Sequence, residues 1–156
     1  MTTKAEFDAE QWSRIAAGPF VAGLTVIAAD RGGTVRETVA MAKVIAEEQQ
    51  GGENPELVTQ VLQERPNPQS ILGEEGEKPT AEDLPVRAEQ LLREALAILE
   101  TKATPEEAEA YKRVCLEIAQ RVAERTKSGG VLGIGGERVS GDEQAAIDRL
   151  RSTLGI

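Results

Sequence analysis

The stretch Pro19-Phe20-Val21-Ala22-Gly23-Leu24-Thr25-Val26-Ile27-Ala28-Ala29 carries no charge and is apolar at almost every position. A helix that is apolar on nearly every face must be surrounded by other helices. Proline suits the first turn of a helix, and Gly18 is expected to end a preceding short amphipathic helix at 8–17. The sequence therefore predicts a central apolar helix at 19–29, around which the remaining elements pack.

Helix-start signals recur through the rest of the chain. Thr34 with Glu37, and Ser140 with Glu143, fit a capping box, in which hydroxyl and carboxylate each accept a hydrogen bond from a free amide of the first turn. Thr104-Pro105-Glu106-Glu107 is the clearest start, since cap residue, N1 proline and N3 acid coincide. Two further starts are Asn54-Pro55-Glu56, with Asn54 as the cap, and Thr80 with Asp83.

Apolar residues at helical spacing follow each start, so each helix has one side to bury. On the helix that runs from Thr34 to about Gln50, the predicted buried stripe is Val35, Val39, Ala42 and Ile45 or Ala46. The stripes of the later helices are Leu57, Val58, Val61, Leu62; Ala88, Leu91, Leu92, Ala95, Ile98, Leu99; Tyr111, Val114, Cys115, Ile118, Ala119, Val122; and Ile147, Leu150, Leu154.

These patterns predict an all-α protein, because no stretch of comparable length alternates with period two. We expect one compact domain over 1–156, a bundle of about six to seven helices around the central helix. The helices that begin at Thr80 and Thr104 are expected to form an antiparallel pair. A surface loop is predicted at 65–79 and a glycine-rich loop at 129–139.

The composition excludes several kinds of function. The 156 residues hold 18 basic and 27 acidic side chains, and the net charge of −9 repels nucleic acid and anionic lipid surfaces. The chain has no histidine, the commonest general base and metal ligand, and its one cysteine, Cys115, can form neither an intrachain disulfide nor a cysteine-based zinc site. We therefore expect no nucleic-acid binding and no histidine-dependent catalysis.

The longest run without charge, 15–29, is expected not to cross a membrane. Gly18-Pro19 interrupts it, and a bilayer takes roughly 20 apolar residues. The first residues include Glu6, Asp8 and Glu10, unlike the basic opening of a secretory signal. The sequence therefore predicts a cytoplasmic protein without a membrane span.

Asp30 is the first candidate site residue, because a carboxylate at the C-terminal end of a helix is unfavourable. One reason for it would be a Ca²⁺ or Mg²⁺ ion held by Asp30 and Glu37, with a further carboxylate from another loop. The alternative is that Asp30 only starts a turn beside Arg31. The segment does not fit an EF-hand, since Gly32 and Arg36 fall where ligands would be required.

The glycine-rich loop is the second candidate. It lacks the Gly-Lys-Ser/Thr ending of a phosphate-binding loop. Val131, Leu132 and Ile134 either pack back on the bundle or dock a protein partner. Cys115 lies on an apolar stripe, and we interpret it as a core residue rather than a nucleophile. We also interpret Trp12 and Tyr111 as packing residues rather than as surfaces that bind a ligand.

Two segments resemble the tellurite-resistance TerB family. The first is Ala28-Ala29-Asp30, a glycine turn, then Thr34-Val35 and Glu37; the second is Glu137-Arg138-Val139-Ser140, with Glu143, Ile147 and Leu150 after it. They cover less than half of the chain, and Arg31 with an extra glycine departs from the Asp-Gly turn of the family. The resemblance implies a helical, stress-associated module in which acidic residues, here Asp30 and Glu37, bind a divalent cation.

The sequence thus favours a non-catalytic, cytoplasmic helical interaction module, stress-associated by resemblance, which binds a protein partner or itself and needs no cofactor. The first alternative is a protein that binds a divalent cation, Ca²⁺ or Mg²⁺, through acidic loop residues. The second alternative is an enzyme that uses paired carboxylates.

Overall fold

The computed structural model describes residues 1–29, 35–66, 82–128 and 141–156, without the side chains of 35–38 and 126–128. Within these ranges the chain forms six α-helices and no strand, which confirms the all-α fold. The helices are α1 (Ala9–Ala29), α2 (Val35–Gly51), α3 (Glu56–Gln63), α4 (Leu84–Lys102), α5 (Pro105–Ser128) and α6 (Gly141–Leu154), and a 3-10 turn at Lys4–Glu6 precedes them.

Helix α1 lies at the centre of the bundle, as predicted, and contacts all five other helices. Its most extensive contacts are with α4 and α5. Its predicted bounds were wrong, because Gly18 does not end a helix and α1 runs unbroken from Ala9 to Ala29 with Pro19 inside it. Pro19 has no N–H, so it cannot donate the helical hydrogen bond to the Ile15 carbonyl. The Tyr111 hydroxyl of α5 donates a hydrogen bond to that carbonyl instead, and α1 continues.

Because α1 is continuous, it is also longer than the sequence suggested. By length and composition it is the one helix in the described ranges that could cross a membrane. In the fold, 61% of the most apolar 18-residue stretch of α1 is buried inside the protein. The core helix of a folded bundle meets the same criteria, and that is the position that α1 occupies.

The predicted stripes of α3, α4, α5 and α6 are buried, with Ile98 half-buried and Leu96 added to the stripe of α4. The predicted pairing of α4 with α5 is less extensive than expected, because each packs mainly on α1 and they meet over a smaller surface.

Helix α3 begins one residue later than predicted. Pro55 takes its cap position without any side-chain capping bond, so the predicted cap at Asn54 was wrong.

The capping box at the start of α5 is formed as predicted. The Thr104 amide donates to the Glu107 carboxylate at 2.9 Å, and the Glu107 amide donates to the Thr104 hydroxyl at 3.2 Å. The second carboxylate oxygen of Glu107 accepts a 2.9 Å bond from the Thr2 amide, so the same buried side chain also fixes the N-terminal segment. The cap residues of the other two boxes, Thr34 and Ser140, lie outside the described residues.

Candidate interaction surface

Helix α2 is held in place by an apolar contact with α1 and by a group of ion pairs to α5. Met41 and Val44 are fully buried, and a Cβ at Gly23 of α1 would lie only 2.6 Å from the Met41 sulfur. This close approach is possible because glycine has no side chain. Nearer the C-terminal end of α2, Arg121 pairs with Glu47 at 2.6 Å and with Glu48, so the rotation of α2 is fixed at two levels of the helix.

The rotation of α2 differs from the predicted one. Val39 is 51% exposed, Ala42 is exposed, and Ile45 and Ala46 are half-buried, so the predicted buried stripe was wrong. The side chain of Val35, the remaining member of that stripe, lies outside the described residues. The buried side instead carries Met41 and Val44 and continues to the acids that Arg121 and Arg125 bind.

An apolar groove lies beside the exposed stripe, because α2 packs more extensively on α5 than on α1. The groove has a volume of about 210 Å³ and is bounded by α1, α2 and α3. Its walls include Ala16, Pro19, Phe20, Ala42, Ile45, Ala46, Val61 and Leu62. We call the groove, together with Val39 one turn before Ala42, the docking face.

Two cationic side chains border the docking face. Lys43 is exposed between Val39 and Ala46, and Arg65 is exposed and lines the groove. Neither forms a direct ion pair with another residue in the described ranges.

The acids near the docking face already have partners. Hydrogen bonding to Arg125, with the charges of Arg125, Arg121 and Lys43, lowers the pKa of Glu47. Glu64 binds Lys4 and accepts a 3.0 Å bond from the Trp12 indole, and these hydrogen bonds lower its pKa. Among the described residues, the unpaired charges at the border of this face are therefore cationic, on a chain of charge −9.

The predicted metal and partner residues fall largely outside the described residues. Asp30, Val131, Leu132 and Ile134 lie there, and Glu37 belongs to α2 by its backbone only. Their proposed roles therefore stay predictions. Among the described residues, no group of three acidic, cysteine or histidine side chains is placed to hold a metal ion.

The predicted core positions of Cys115, Tyr111 and Trp12 are confirmed. The first two are fully buried and Trp12 is 5% exposed. Burial raises the pKa of the Cys115 thiol well above its usual range, so the reactive thiolate is disfavoured. Burial likewise raises the pKa of the Tyr111 phenol.

Sequence reasoning missed the docking face because it assigned α2 a single apolar side. Small or apolar residues in fact occupy two opposite sides of α2, and only one of them can face α5. That double pattern was the available signal.

In the comparisons with known proteins, no family model, no curated protein and no solved structure matches this chain.

Proposed function

We propose that the protein is a non-catalytic interaction module whose docking face binds an amphipathic helix of a partner protein. The observation that carries this proposal is the apolar side of α2, which the other described residues leave exposed beside a groove. Val39, Ala42 and Ala46 are spaced as i, i+3 and i+7, which is the pattern that one helix presents to another.

The shape of the face favours a helix over a bulkier partner element. Ala42 and Ala46 are small, so a second helix axis could approach α2 to within about 8 Å. Phe20 and Ile45 are half-buried, and an apolar side chain inserted into the groove would remove their remaining surface from water. Each partner side chain buried in this way would contribute about 1.5–3 kcal/mol to the free energy of binding, before the entropic cost of association is subtracted.

The charges around the face favour a helix with acidic flanks. Lys43 and Arg65 form no direct ion pair in the described part of the chain, although the charge of Lys43 acts on Glu47 at longer range, whereas Glu47 and Glu64 each form one. The net charge of −9 opposes an acidic partner at long range, but at physiological salt the field is screened over about 8 Å. Within contact distance, Lys43 and Arg65 therefore favour a partner helix whose flanking residues are acidic.

The remaining sequence-based hypotheses stay predictions. The cation-binding alternative rests on Asp30 and Glu37, and the docking role of the glycine-rich loop rests on Val131, Leu132 and Ile134. The TerB resemblance, the link to stress and the cytoplasmic location likewise rest on the sequence alone.

Two designed helical peptides would test the proposal. Both carry leucine at i, i+3 and i+7; one has glutamate flanks and the other lysine flanks. Fluorescence anisotropy should show the glutamate-flanked peptide binding about tenfold more tightly, with the difference shrinking as salt is added.

Failure of both peptides to bind, or tighter binding of the lysine-flanked one, would contradict the proposal. Sedimentation of the protein alone is the companion measurement. A dimer that the glutamate-flanked peptide cannot dissociate, and that Val39→Asp does dissociate, would identify a second copy as the occupant and overturn the choice of partner.

A further inference from the structure

A second cavity lies at the other side of the bundle and shares no residue with the docking face. Its volume is about 530 Å³, within the range of small-molecule sites. It is bounded by the last two turns of α1, the first turns of α4 and one side of α6. Leu92 and Leu150 contribute apolar walls. We call this cavity the α6 cleft.

Two opposite charges line the α6 cleft without neutralising each other. Asp142 and Arg149 are seven residues apart on α6, so they lie on the same side of the helix, two turns or about 10 Å apart. Neither forms an ion pair with another described residue. The helical neighbours of Arg149 three and four residues away are Ala145, Ala146, Ser152 and Thr153, none of which is an acid.

The other polar groups of the cleft are already engaged as donors or as ion-pair partners. Glu89 binds Arg93 at 2.6 Å. The Thr25 hydroxyl donates to the Ala22 carbonyl at 2.7 Å, and the Thr153 hydroxyl donates to the Arg149 carbonyl at 3.0 Å. Both threonines therefore have only oxygen lone pairs left for a ligand, and these accept hydrogen bonds from an N–H donor.

The space between the two charges is apolar. Ala145 and Ala146 lie one turn from each of them and also line the cleft. A molecule laid along α6 would thus meet a carboxylate, then methyl groups, then a guanidinium. Asp142 additionally sits in the first turn of α6, where a carboxylate stabilises the helix dipole, but that role does not account for Arg149.

We propose that the α6 cleft binds a small zwitterion of dipeptide size, with its ammonium group at Asp142, an apolar body over Ala145 and Ala146, and its carboxylate at Arg149. An extended dipeptide spans about 7 Å, and the two side chains reach over the rest of the 10 Å separation. The guanidinium binds a carboxylate through two parallel hydrogen bonds, which fixes the direction of the ligand.

Calorimetric titration with L-leucyl-L-alanine tests this assignment on the full chain. The N-acetylated and C-amidated forms of the same dipeptide each lack one charge, and each is expected to bind about tenfold more weakly. No heat of binding up to about 10 mM of the unblocked dipeptide, or equal binding of all three, would overturn the proposal.

Variants then assign each end of the ligand. Asp142→Asn should abolish the preference for the free amine and Arg149→Gln the preference for the free carboxylate, because each removes the partner of one ligand charge. Asp148→Asn and Arg151→Gln are the matched controls, since these residues lie on α6 but not in the cleft, and both preferences should survive. Loss of either preference in the controls would contradict the assignment. Val39→Asp should leave dipeptide binding unchanged, so this proposal can fail or stand independently of the docking face.

Discussion

The phenol of Tyr111 on α5 donates a 2.7 Å hydrogen bond to the main-chain carbonyl of Ile15 on α1. That carbonyl is the one that Pro19 cannot serve, because proline has no N–H to complete the helical bond four residues back. A side chain from a neighbouring helix thus replaces a missing backbone donor. The same contact explains why α1 continues through Gly18-Pro19.

Replacing Tyr111 by phenylalanine should destabilise the protein by about 1–3 kcal/mol, because the buried Ile15 carbonyl is left without a donor. Urea denaturation measures the change in the free energy of unfolding. The decisive comparison is the same substitution in a Pro19→Ala background, where the backbone amide that alanine introduces is expected to serve the carbonyl instead. If Tyr111→Phe costs as much there as in the original chain, the compensation does not exist.

Gly18 should tolerate no side chain. A Cβ at this position would overlap the phenol oxygen of Tyr111 and lie 2.8 Å from its Cζ. We expect Gly18→Ala to lower the free energy of unfolding by about 1–3 kcal/mol through overpacking. Gly51→Ala is the control, because nothing lies within 4 Å of a Cβ at the end of α2 and the change should be neutral or slightly stabilising. Equal effects of the two substitutions would refute the steric explanation.

Lowering the pH should destabilise the N-terminus of α5, because Glu107 becomes protonated. Burial tends to raise the pKa of Glu107, but hydrogen bonds from Thr2 and Thr104 outweigh it and lower the pKa below the ordinary 4.5. A lowered folded-state pKa means that the carboxylate stabilises the protein above the unfolded-state pKa, and that this stability is lost as the pH falls through the folded-state value.

Glu107→Gln should therefore cost about 1–2 kcal/mol at neutral pH, and the difference from the original protein should shrink as the pH is lowered below about 4.5. Chemical denaturation at several pH values gives this difference directly. Glu106→Gln serves as the control, since Glu106 is exposed in the same turn, and it should cost less at neutral pH. A difference that stays constant down to about pH 3 would contradict the assignment.

Helical spacing and caps were enough to predict the all-α fold, the central position of 19–29 and the buried sides of most helices. The capping box of Thr104 and Glu107 was predictable because it involves residues close in sequence. The continuity of α1 was not, because the donor that replaces the Pro19 amide comes from Tyr111, 96 positions away from Ile15. No local pattern could reveal such a partner.

The docking face shows the same limit in another form. Local spacing allowed either the side with Val39 or the side with Met41 to be buried on α2. The choice depends on Gly23, which leaves space for Met41, and on Arg121, which binds the acids at the far end of the helix. These determinants belong to other helices, so the sequence of α2 alone could not decide between its two sides.

The affinity of the glutamate-flanked peptide for two charge-matched variants tests the central claim most directly. Val39 and Val86 are both exposed valines on helices, at 51% and 62%, but only Val39 belongs to the docking face. We predict that Val39→Asp weakens peptide binding at least about tenfold, whereas Val86→Asp changes it less than about twofold. Unchanged affinity in Val39→Asp, or an equal loss in both variants, would contradict the assignment of α2 as the interaction surface.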